Sequence, residues 1–436
     1  MRRRYTSPGE KPSARREGVA RRSGLIAAVV LAASAFGASS ASAVLVKVGG
    51  RTLGYQPTPH AVVQSSAPVR AAGKTPVEYH GGPVMPASTN YAFYWDPAGA
   101  PSYPSGYQTT LDGYFENLAH DSGGLLNTDS VLQQYGDGLG EFANYNSHFG
   151  GAIVDTEPYP ANGCSAAAAC LSDEQIRTEL TRYAEAHKLP VDLQHEYFVL
   201  TPPGVESCFE AASKKCSDGT THAAYCAYHG FIPVGSSALI YADDPYVNGL
   251  NCDYGEEHPN NNPADATIAG GLAHEHSESV TDPEMNAWHD SKGQEVGDKC
   301  RTFKAATEYG EPLGRAPDGS NYNQVINGAL YWYQQEWSNE AGACAQRQAQ
   351  PPVVTKLSPK AGKTAGGTKV TITGQHFTAP ASVSFGGNAA GSVTVNSATS
   401  VTAISPAGPL GTVDVTVTTA YGTSAAGKAD HFKYKP

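Results

Sequence analysis

The residues best suited to chemistry lie in "AHEHSESVTDPEMNAWHD", residues 273 to 290. On a helical grid His274 and Glu278 stand roughly 40° apart, with Glu275 roughly 100° from His274. This is the disposition of H-E-x-x-H, in which two ligands one turn apart hold zinc and the glutamate between them is general base for the metal-bound water. Here the second histidine is replaced by Glu278. A carboxylate is an acceptable zinc ligand, but one histidine with two carboxylates makes a harder, more anionic site, which weakens the Lewis acid or favours another divalent ion. The segment "GQEVGDKC" offers Glu295 or Asp298 as third ligand, with Asp282 and His229 as further candidates. The expectation is a divalent metal, zinc first, held by His274, Glu278 and Glu295, with Glu275 as the catalytic base. The competing reading is a solvated acidic helix end, because Glu278, Asp282 and Glu284 are ordinary surface residue types. Against it, Gly270-Gly271 and a charged triplet inside an otherwise apolar helix conflict with local propensity, and such conflicts concentrate at functional sites.

Several elements must position these groups. Pro263 and Asp265 open a helix over "DATIAGGLAHEHSESVTD" and Pro283 closes it. Ile268 and Leu272 would anchor it, and Gly271 would leave room for a substrate or a further ligand. A second helix is expected at "YQTTLDGYFENLAHDS", where Leu111, Tyr114, Phe115 and Leu118 recur at helical spacing. A third is expected at "LSDEQIRTELTRYAEAHKL", capped by Ser172 with Ile176, Leu180 and Tyr183 as its apolar stripe. Strands are expected at Tyr91 to Trp95, at "HEYFVLTP" and in "GFIPVGSSALIYAD". Together these give an α+β core, zincin-like if the metal reading holds, followed by an all-β immunoglobulin-like sandwich.

The chain opens with basic residues, the apolar run "GLIAAVVLAASAFG" and the small-residue site "ASA" ending at Ala43, the pattern of a cleaved secretory signal over residues 1–43. Export by the general secretory route is expected, with Arg21-Arg22 a weaker sign of the twin-arginine route. No apolar stretch is long enough for a membrane span. Residues 44–75 read as a short strand and a flexible lead or propeptide, 76–347 as the core, 348–352 as a linker and 353–436 as the sandwich. All eight cysteines fall in the core, and an even number in an exported chain predicts four disulfides. Spacing suggests Cys164 with Cys170 and Cys208 with Cys216. The formal charge is -11, and the 22 basic and 39 acidic residues beyond Ala43 leave -17, which argues against a nucleic-acid partner. The charge is uneven, because residues 351–436 hold seven lysines and two aspartates.

Within residues 353–436, "LSPKAGKTAGGTKVTITGQHF", "VSFGG" and "GTVDVTVTTAYGTS" resemble a TIG/IPT domain, an immunoglobulin-like module that implies partner binding or spacing rather than catalysis. Over residues 79–344, "YHGGPVM", "YCAYHG", the His274 segment and "QQEWSNEAGAC" resemble the secreted phosphate-induced, Exordium-like family. That resemblance implies an extracellular protein and carries over to His274, Glu275, Glu278, Asn286, Trp288, Glu295, Asp298 and Cys300. Trp288 and Trp337 would be either a sugar-stacking platform or, more simply, core aromatics. Two functions follow. One is a metal-dependent, peptidase-like hydrolase acting on a peptide, protein or cell-wall polymer. The alternative is a non-catalytic extracellular binding or signalling protein.

Overall fold

The computed structural model describes residues 45–59, 75–161, 163–253, 257–302, 305–348, 350–377, 381–397, 399–419 and 422–436. The expected secretory segment lies outside the described residues. The core is strand-rich. Its ten-stranded mixed sheet comprises β1 (Val46–Val48), β2 (Arg51–Pro57), β3 (Ser88–Trp95), β4 (Ser147–Asp155), β5 (Ala169–Ser172), β6 (His195–Thr201), β7 (Val205–Cys208), β8 (Cys216–Ser217), β9 (Ala223–Val234) and β10 (Ser237–Pro245). The spatial order is β4-β3-β6-β10-β9-β8-β7-β5, with β2 also paired to β9 and β1 to β2.

Alternation along the central strands explains why both faces are covered. In β3 and β6, Tyr94, Phe198 and Leu200 face one core, whereas Phe93, Trp95, Tyr197 and Val199 face the other. On the first face lies α1 (Tyr107–His120), burying the expected stripe of Leu111, Tyr114, Phe115 and Leu118. On the second lies α2 (Asp173–His187), where Ile176, Leu180 and Ala184 are buried. Its start is fixed by a capping box: the Ser172 side chain accepts from the Gln175 N–H while the Gln175 side chain accepts from the Ser172 N–H. Strands and helices alternate only through α2. From β7 to β10 the chain runs as strands, so the core is strand-rich with few helices, and neither the α+β nor the zincin-like expectation gains support from it.

Four disulfides form: Cys164–Cys170, Cys208–Cys216, Cys226–Cys252 and Cys300–Cys344. The two short-range pairs are those the spacing suggests. Four bridges are the mark of an oxidising compartment. Among the described residues no helix is long and apolar enough to cross a membrane.

At the edge of the sheet Asp155 is almost completely buried and its carboxylate faces the Arg182 Nη2 at 3.6 Å. Burial, then a shared hydrogen bond with Glu179, pushes its carboxyl up to about 7. A carboxyl raised above its unfolded value of about 3.9 stabilises the fold only while protonated. Stability should therefore decline as pH rises from about 4 through about 7. Asp155→Asn is expected to flatten that decline, read as a smaller difference in melting temperature between pH 5 and pH 8 than in the wild type.

The C-terminal region folds as two facing antiparallel-rich sheets. The first comprises Val353–Ser358, Lys369–Gln375, Ser400–Ile404 and Val393–Ser397. The second is built on Gly411–Thr419, flanked by His431–Lys435 and Ser382–Phe385. Val370, Ile372, Phe385, Val401, Val415, Val417, Phe432 and Tyr434 are fully buried between them.

Candidate metal centre

The expected helix forms as an α turn at Ala264–Thr267, a π turn at Ile268–Leu272 and α3 (Ala273–Thr281). A π turn inserts one extra residue, and such turns recur at functional sites. The glycine pair in it answers to close packing rather than to substrate. A Cβ at Gly271 would lie 2.6 Å from the Ala227 Cβ, and one at Gly270 would lie 2.5 Å from the Cys252 carbonyl oxygen. The room expected at Gly271 is thus taken by β9 of the sheet. This packing drives α3 into the core, where every residue from Ala273 to Thr281 is buried.

The acidic helix is consequently the reverse of a solvated end. His229, His274, Glu275, Glu278 and Glu295 are 0% exposed and Asp298 is 2% exposed. His274 Nε2 lies 3.2 Å from Glu278 Oε1 and 3.6 Å from Asp298 Oδ1. Potential ligand atoms of His274, Glu278 and Asp298 all fall within 4.8 Å of one another. A second such group is His229, Glu275 and Glu278.

Glu295, the preferred third ligand, is not in the first group. Its Oε1 lies 3.6 Å from His229 Nε2, on the far side of that imidazole. Asp298 stands there instead because its backbone N–H donates to Glu278 Oε1 at 2.9 Å, tying the loop to α3. Glu295 in turn donates its own N–H to Asp298 Oδ2 at 3.1 Å. Asp282 has a structural task, accepting from the Asn286 and Ala287 N–H groups in the turn after α3.

Glu275 has both oxygens engaged. Oε1 accepts from the Gln56 N–H at 3.2 Å and Oε2 faces His229 Nδ1 at 2.8 Å. Gln56 belongs to β2, so the segment expected as a lead supplies part of the site. β2 also supplies Gly54, which pairs in register with His229. A Cβ there would lie 2.2 Å from His229 Cε1 and 2.6 Å from Glu295 Oε2. Gly54→Ala is expected to cost about 1–3 kcal/mol by overpacking, read as a lower denaturant midpoint. Gly113→Ala, in α1 with nothing within 4 Å of its Cβ position, should be neutral or stabilising.

Charge in this cluster does not balance. Two imidazoles face four carboxylates, Glu275, Glu278, Glu295 and Asp298, away from water. Burial pulls the His274 imidazole down, but Glu278 and Asp298 outweigh it and hold it well above its usual range. Burial likewise opposes charge on His229, and Glu295 and Glu275 more than offset it. Burial and the neighbouring Glu278 push Glu295 well up and Asp298 to about 7. The buried atoms His229 Nε2, His274 Nε2, Glu278 Oε2, Asp298 Oδ1 and both Glu295 oxygens lack hydrogen-bond partners. Buried polar atoms are nearly always satisfied. So many orphans among carboxylates and imidazoles fit a donor set for a hard or borderline divalent cation.

Residues 352–434 match the family model described as the IPT/TIG domain. The sandwich is a TIG domain. No curated protein matches the chain, so the Exordium-like resemblance of the core gains no support there. Solved structures with similarity include the plexin A4 extracellular region, at 20% identity over 24% of this chain and 9% of that one, TM-score 0.18. SGBP-B from a complex xyloglucan utilization locus in Bacteroides uniformis is 27% identical over 25% of this chain and 28% of that one, TM-score 0.18. The gamma-CGTase of alkalophilic Bacillus clarkii is 21% identical over 27% of this chain and 17% of that one, TM-score 0.18. The chain thus spans less than a third of each of these relatives.

The TIG domain carries the basic excess on its surface. Lys363 pairs in register with Lys435, and Lys433 lies two residues away on the same face of its strand. All three are exposed, while Phe432 and Tyr434 alternate inward to the sandwich core. The tryptophans of the core domain belong to packing. Trp288 lies against Tyr79 and Tyr135 and donates its indole N–H to the Gly136 carbonyl. Trp337 is buried beneath the Lys299 ammonium.

Proposed function

We propose that the chain is an exported, non-catalytic binding protein, delivered by the general secretory route, whose TIG domain presents a basic face to an anionic partner at the cell surface or wall. In this reading the core is a rigid platform closed around a divalent cation held by His274, Glu278 and Asp298. A bound cation supplies the positive charge that these buried carboxylates otherwise lack. The observation that carries the reading is the state of Glu275. A hydrolytic zinc site keeps an open coordination position, and its general base must reach the water it activates. Glu275 is sealed from solvent with one oxygen bonded to Gln56 and the other to His229. That environment suits a structural group better than a catalytic base, so the peptidase reading is set aside.

The test uses the full chain on a column of immobilised polyphosphate. Wild-type protein should be retained and elute at a salt concentration that Lys363→Glu/Lys433→Glu/Lys435→Glu lowers, because exposed charge attraction is screened by salt. Identical elution of the two proteins would contradict the assignment of the TIG face. Hydrolysis of a denatured protein substrate by the wild type that Glu275→Gln abolishes would contradict the non-catalytic reading.

A further inference from the structure

The cluster around α3 divides into two parallel halves that meet at one side chain. Glu278 turns Oε1 toward His274 Nε2 at 3.2 Å and Oε2 toward His229 Nδ1 at 3.8 Å. Each histidine has an oxygen behind it, within hydrogen-bond distance at His274 and beyond it at His229. The other nitrogen of His274, Nδ1, lies 3.1 Å from Gln334 Oε1, and the other nitrogen of His229, Nε2, lies 3.6 Å from Glu295 Oε1. His274 has the orientation of a metal-binding imidazole, its outer nitrogen on an oxygen acceptor and its inner one free for the ion, whereas His229 Nδ1 is hydrogen-bonded to Glu275 Oε2. Each half then adds one further carboxylate, Asp298 beside His274 and Glu275 beside His229.

We infer that the core holds two divalent cations bridged by the Glu278 carboxylate, one with His274 and Asp298 and the other with His229 and Glu275. The inference rests on the metal reading above and extends it from one ion to two. Charge supports the second ion. The three carboxylates placed as ligands, Glu275, Glu278 and Asp298, carry three negative charges beside two neutral imidazoles, more than one divalent ion neutralises. The orphaned Glu278 Oε2, fully buried and directed toward His229, is placed to ligate an ion in that half. Histidine and carboxylate donors around a bridging carboxylate also build the dinuclear centres of helical bundles, which hold one carboxylate more than the three assigned here. In the second half the ion takes the place of the proton shared by His229 Nδ1 and Glu275 Oε2. Glu275 is then a ligand, which accounts for a glutamate in the general-base position of the motif having no route to solvent.

The experiment loads the full-length secreted protein with Mn(II), removes free ion by gel filtration, and measures metal per chain together with the electron paramagnetic resonance spectrum. The expected result is two Mn(II) per chain and a spectrum broadened by exchange coupling, with His229→Asn binding one ion and giving the six-line spectrum of an isolated Mn(II). One uncoupled ion in the wild type would overturn the bridge and leave the single-ion reading standing. No bound ion in the folded wild type would overturn both. Because the wild-type stoichiometry decides the matter, failure of the His229 variant to fold does not protect the proposal.

Discussion

Stripping divalent metal from the folded protein is expected to lower its melting temperature by roughly 10 °C, and adding the metal back should restore it. The size follows from what removal leaves behind. Glu278 and Asp298 would face one another's charge in an interior closed to water, with His274 the imidazole that faces both. Uncompensated buried charge costs about 3–5 kcal/mol, and a domain of this size loses about 2–4 °C per kcal/mol. His274→Ala should produce part of this loss in one step, after which a chelator has a smaller further effect. Calorimetric scans with and without chelator, on both proteins, measure this. A wild-type melting temperature that a chelator leaves unmoved after prolonged incubation would show that protons, not a metal, balance the cluster.

The second large effect is expected at Cys300–Cys344. This bridge closes a loop of 44 residues, for which the chain-entropy relation gives about 4 kcal/mol. Its position also matters to the site. Cys300 ends the short 3-10 turn Asp298–Cys300 whose first residue is the ligand candidate, and Gln334 behind His274 lies within the closed loop. Cys300→Ser/Cys344→Ser should therefore lower stability by more than Cys164→Ser/Cys170→Ser, which opens a loop with a sequence separation of only 6. Urea denaturation of the two variants under non-reducing conditions compares them. Equal losses would mean that loop length and proximity to the cluster do not govern the cost.

How much of this was legible in the sequence depends on the range of the interaction that decides each feature. Helices α1 and α2 follow from stripes and a cap lying within about four residues of one another, and the structure places them as expected. The TIG domain was equally legible, since its strands alternate Lys-Val-Thr-Ile and Phe-Lys-Tyr-Lys at period two. The helix carrying His274 was legible as a helix, but its π turn was not, because Gly270 and Gly271 are placed by Cys252 and Ala227 of distant segments. That Asp298 rather than Glu295 stands beside His274 goes with one backbone hydrogen bond from Asp298 to Glu278, which spacing does not encode. His229 was among the candidates, yet its central place rests on β9 pairing with β2 more than 170 residues earlier in the chain. One signal for it was present: Gly54, a glycine inside an otherwise bulky strand, often marks the close approach of another group. Burial was the largest surprise, since a run as polar as His-Glu-His-Ser-Glu-Ser suggests solvent and instead lies wholly in the core.

The most direct test of the buried cation centre is the metal content of the secreted, disulfide-intact protein after gel filtration, by mass spectrometry, beside Glu278→Ala prepared in parallel. At least one divalent ion per chain in the wild type and none in the variant is the result the account predicts. A folded wild type containing no divalent ion, even after incubation with zinc and manganese, would contradict it.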